Sequence, residues 1–137
     1  MTPKLRFRIA GSLGLLVGAL SIFAGSSVLL GAERPDYHVL RWLVVYNLMA
    51  GVISALLGAA IIGQRPWAAR AAGALAAAHL GVLLILVGLR ASSASPVADQ
   101  SLGAMTFRST VWLLITLLVW KLGRAAPGAR AGDGHLA

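Results

Sequence analysis

No cysteine occurs in this chain of 137 residues, and four Asp and Glu face twelve Lys and Arg. The first absence excludes disulfides, thiol redox chemistry, thiolate metal sites and iron–sulfur clusters. Charge of either sign is scarce, at 12% of residues against about 25% in a typical soluble domain. The acids are Glu33, Asp36, Asp99 and Asp133, and none lies inside a long apolar run. Also missing are a phosphate-binding glycine loop, a serine nucleophile motif and a zinc helix motif. The chain therefore reads as a non-enzyme.

What is abundant is hydrocarbon, at 58% hydrophobic residues. Apolar runs too long for a water-soluble core of this size must face lipid, so the fold class is all-α: an integral membrane, antiparallel four-transmembrane-helix bundle. A net charge of +8 would suit nucleic acid. That partner is rejected, because the basic residues sit at the ends of apolar segments, where they determine topology.

Residues 1–8 form a basic head with Lys4, Arg6 and Arg8. Spans follow at about 9–30, 42–62, 68–89 and 102–122 within a transmembrane domain of residues 9–122, and 123–137 reads as a flexible cytoplasmic tail rich in Gly, Ala and Pro. Some 20 uncharged residues at 1.5 Å each cross a hydrocarbon layer of ~30 Å. A cleaved signal peptide competes for the first span, but its apolar core is longer than the usual ~7–15 residues, and we expect it to be retained. Gly63-Gln64-Arg65-Pro66 makes a tight connector, and its proline breaks the helix.

Counting Lys and Arg by compartment gives eight in the head, second link and tail, against four in the first and third links, with Arg108 counted in the third. Both termini should be cytoplasmic. The aromatics agree: Tyr37 and Trp42 lie at the outer level, Trp67 and Trp120 at the inner one. Packing in lipid relies on close backbone approach. Ala10, Gly14 and Gly18 supply it on the first span, and Gly51, Ser54 and Gly58, continuing from Asn47, on the second. The third, with Gly73, Ala76, Ala77 and Gly81, is small almost all round.

Arg108 is the most demanding side chain. It stands 13 residues before Lys121, about 20 Å of helix in a layer of ~30 Å. The favoured expectation is that both side chains snorkel to their interfaces. The alternative turns Arg108 into the bundle towards Asp99, Glu33, Asp36 or Asn47, with the Trp112 ring receiving the guanidinium. Tyr46 and Asn47 lie at a similar depth, suited to interhelical hydrogen bonds. His79, near the midplane, is expected to be a neutral imidazole bonded to a neighbouring helix. A haem with two histidine ligands is unsupported, because His38 and His135 cannot reach the same iron, and no cofactor is expected. Glu33, Asp36 and His38 are the sole weak metal candidate, read as a solvated turn.

The segment Gly103 to Arg108 with Trp112 following, and Asn47 above Gly51 and Gly58, resemble uncharacterised small four-helix inner-membrane proteins of bacteria, over the chain from Trp42 onwards. The resemblance implies the architecture and no activity. Small multidrug exporters are similar in size but use a glutamate in the first span, and fluoride channels carry a phenylalanine-rich pore; this chain has neither. Two functions follow. The first is an accessory or scaffold component acting through helix contacts with the lipid bilayer and a membrane-protein partner or a second copy. The alternative is a small transporter or ligand-binding protein with a polar pocket at Tyr46, Asn47, His79, Arg108 and Trp112.

Overall fold

The computed structural model describes residues 2–93 and 96–124, with side chains as far as Trp120. Residues 125–137 of the expected tail and the side chain of Lys121 lie outside this description. Helices α1 (Pro3–Leu29), α2 (Arg41–Ile62), α3 (Ala68–Ala91) and α4 (Asp99–Arg124) make up the described chain. Each is long and apolar enough to cross a membrane.

Two helices begin earlier than hydropathy suggests. Thr2 is extended (φ −69°, ψ 151°) with Pro3 behind it, and its hydroxyl accepts from the Leu5 N–H at 3.4 Å. This is an N-cap followed by a proline whose missing N–H costs nothing in the first turn. The basic head is thus the opening of α1 and not a separate segment. α4 starts at Asp99 instead of residue 102, with that carboxylate in its first turn, where the helix dipole favours negative charge. Asp99 also pairs with Arg90 across the α3–α4 link.

The links end the helices by similar geometry. After α1, Gly31 adopts φ +72°, the Ala32 N–H reaches the Ser27 carbonyl at 2.9 Å and the Gly31 N–H reaches Val28 at 3.2 Å. After α2 the left-handed position falls on Gln64 (φ 52°), the Arg65 N–H bonding to Ala60 and the Gln64 N–H to Ile61, both at 3.0 Å. Both are Schellman closures; the second places a residue with a Cβ where glycine is favoured.

α1 packs most extensively on α2, and α3 on α4. The α1–α2 seam is backbone against backbone. A Cβ built on Gly11 would stand 2.5 Å from the Gly58 carbonyl oxygen, and one on Gly18 would stand 2.6 Å from the Ala55 nitrogen. A Cβ built on Gly25 would stand 3.2 Å from Leu48 Cβ, so contacts run from the start of α1 with the end of α2 to the end of α1 with the start of α2. Gly14, Gly18, Gly51, Ser54 and Gly58 are all buried. Gly73 lies near Thr116, whereas Gly81 has nothing within 4 Å of its notional Cβ. Trp112 is fully buried in the larger apolar cluster, with Ala10, Leu57, Ile61, Leu75 and Ile115. A smaller cluster of Leu43, Leu86 and Met105 lies apart from it.

Candidate functional site

Arg108 stands nine residues into α4, about 14 Å of helix from Asp99. Its guanidinium turns into the bundle and not towards either end. Nε donates to Ser21 Oγ on α1 and Nη1 donates to Asn47 Oδ1 on α2, each at 3.1 Å. Asn47 is among the acceptors named from sequence. The three acids named beside it are not partners: Asp99 is held by Arg90, and Glu33 and Asp36 are exposed in the α1–α2 link.

Ser21 was not among the sequence candidates, although a signal for it exists. Gly14, Gly18, Ser21 and Gly25 repeat on α1 the four-three-four spacing of Asn47, Gly51, Ser54 and Gly58 on α2. All four α1 positions are buried. The two stripes face one another, and each contributes one polar acceptor where α4 brings its arginine.

Tyr46 and His79 form a second pair. The Tyr46 hydroxyl is 2.9 Å from His79 Nδ1, and the rings meet edge to face with centroids 5.8 Å apart at 85°. His79 is 1% exposed, and its partner is Tyr46 and not the neighbouring Asn47. Tyr46 and Asn47 are consecutive on α2, so their side chains diverge: one reaches α3, the other α4. Trp112, which is 0% exposed, has its ring tip 3.4 Å from a notional Gly14 Cβ. That places it as a wedge in the α1–α4 contact. His79 Nε2, Ser109 Oγ and Trp112 Nε1 are buried without a hydrogen-bond partner among the described residues.

Beside Arg108 lies a pocket of about 180 Å³. Of the five residues expected to line a polar pocket, Asn47 and Arg108 do so, and Tyr46, His79 and Trp112 do not. α4 adds Gln100, Ser101 and Ala104, α1 adds Ala24, Gly25 and Val28, and Tyr37 of the α1–α2 link stands over it. No lining residue is acidic. Guanidinium carries five N–H donors; Ser21 and Asn47 take two, so Nη2 keeps both of its own for whatever enters. Chemically, the arrangement offers cationic N–H donors to a pocket whose lining residues include no carboxylate. Glu33, Asp36 and His38 are exposed, and among the described residues no group of three His, Asp or Glu side chains is arranged to hold a metal ion. The chain matches no protein family, no curated protein and no solved structure.

Proposed function

We propose that the chain is a non-enzymatic, multi-pass protein of the bacterial inner membrane that binds a small anionic group in the Arg108 pocket. Its helices cross the bilayer as an antiparallel bundle with both termini cytoplasmic. Supporting the membrane reading, large apolar side chains point outward on every helix: Phe23 and Leu84 are each 71% exposed, Leu56 66% and Leu114 61%. Trp42, Trp67 and Trp120 are also exposed, as suits aromatic residues at the two membrane–water boundaries.

One observation carries the binding reading. Arg108 lines a pocket, is held by two neutral acceptors, and has no carboxylate beside it. An arginine at membrane depth without charge compensation costs at least ~2–3 kcal/mol. An anionic ligand offsets that cost. The accessory-subunit reading rests on small-residue stripes, and those stripes are largely used within the chain, α1 against α2; the pocket is left as the feature a partner does not explain.

The test is thermal unfolding of the purified protein in maltoside micelles at fixed ionic strength, with chloride, acetate, sulfate or phosphate added. At least one anion raises the midpoint saturably in the wild type and not in Arg108→Gln. No response to any of the four, nor to a short-chain anionic phospholipid in the same assay, refutes the proposal. Reporter fusions at the two termini and in the 30–40 link check the orientation, with the link on the opposite side from both ends.

A further inference from the structure

Resting on the anion-binding reading, we propose that the group taken up beside Arg108 is a phosphate, carried either on a lipid headgroup or as the free ion. The donor set selects it. With Nε on Ser21 and one Nη1 hydrogen on Asn47, the unengaged N–H groups are the second of Nη1 and both of Nη2. These three donors on the two terminal nitrogens can serve more than one oxygen of a single oxyanion, whereas a halide offers them one centre.

Further donors come from the same helix face. Gln100, Ala104 and Arg108 recur every four residues on α4, with Ser101 beside them, and all four line the pocket. Helical side chains lean towards the N-terminus, so the Arg108 head is carried towards Gln100 and Ser101. Ala104, the small residue between them, leaves the space open. Guanidinium, amide and hydroxyl together offer more donors than the two oxygens of a carboxylate accept, and a phosphate presents further oxygens in other directions. The pocket, at about 180 Å³, has room for several water molecules and hence for a group of five heavy atoms. Its negative charge meets an arginine with no acid among the lining residues. The apolar wall of Val28, Leu40, Leu43 and Val44 suits the carbon substituent of a phosphate ester.

The experiment titrates the lipid-depleted protein in maltoside with inorganic phosphate, short-chain phosphatidylglycerol, acetate and chloride at fixed ionic strength, reading the unfolding midpoint. Phosphate or phosphatidylglycerol should act at concentrations at least tenfold below acetate and chloride. Response to the lipid alone assigns the headgroup as the source, and response to inorganic phosphate assigns the free ion. Arg108→Gln should lose the response. So should Ala104→Phe, which fills the pocket but retains the arginine, whereas Arg65→Gln, the same charge loss in the α2–α3 link, should keep it. Acetate or chloride acting as potently as phosphate overturns the phosphate assignment and leaves an unselective anion site. A phosphate response undiminished in Ala104→Phe overturns it by placing the ion elsewhere. Silence to all four probes overturns the anion reading itself.

Discussion

Replacing Gly58 by alanine should loosen the bundle, while the same change at Gly81 should not. A Cβ on Gly58 falls 2.6 Å from both the Gly11 carbonyl oxygen and the Leu15 nitrogen, whereas ordinary contact begins at 3.4 Å. The two backbones must part by the difference, about 0.8 Å, because neither obstacle is a side chain that can rotate away. Overpacking of this kind costs about 1–3 kcal/mol, and alanine's better helix propensity returns up to about 1 kcal/mol. Lipid gives no hydrophobic force to press separated helices together again. Gly58→Ala should therefore lose about 1–2 kcal/mol. At Gly81, with nothing within 4 Å, only the propensity gain remains, so the two variants should differ by about 2 kcal/mol with opposite signs. Equilibrium unfolding in mixed maltoside–dodecyl sulfate micelles measures this. Equal stability of the two variants, or greater stability of Gly58→Ala, would refute the backbone-contact account of α1 and α2.

Other perturbations separate the polar contacts. Tyr46→Phe leaves His79 Nδ1 without its 2.9 Å partner and should cost about 0.6 kcal/mol, with an upper bound of about 1.7; in a double-mutant cycle, His79→Phe should then add less than it does alone. Asp99→Asn breaks the ion pair with Arg90, whose side chains are 81% and 50% exposed, and should shift stability by under about 1 kcal/mol in a thermal melt. Gln64→Gly relieves a left-handed residue and should raise the unfolding midpoint, by up to about 1 kcal/mol in stability.

The helices were legible because runs of about 20 uncharged residues have few other uses. Their starts were less so: hydropathy ends at a charge, but hydrogen bonding does not, and Thr2-Pro3 and Asp99 begin α1 and α4 outside the apolar runs. Depth along a helix follows from counting, which is why Asn47 could be set level with Arg108. Rotation does not, so counting alone could not separate Tyr46, which meets His79, from Asn47, which meets Arg108. Asp99 looked available to Arg108 on depth alone, but it lies across a short link from Arg90 and pairs there. Ser21 has the right spacing within a stripe of small residues; what makes it a partner of Arg108 is the arrival of α4, which no local pattern on α1 announces.

The most direct test of an anion-attracting Arg108 pocket uses the absence of cysteine, which makes any introduced thiol unique. Ala104→Cys puts one on the pocket wall, one helical turn, about 6 Å, from Arg108. At that distance a unit charge in water interacts by about 0.7 kcal/mol, attractive for an anionic sulfonate thiol reagent and repulsive for its cationic ammonium counterpart. Relative to their rates on a small free thiol, the two should then differ by about tenfold. On that normalised scale modification should be faster with the anionic reagent, and the preference should vanish when Arg108→Gln is added. Equal rates, or a preference that survives loss of the arginine, would contradict it.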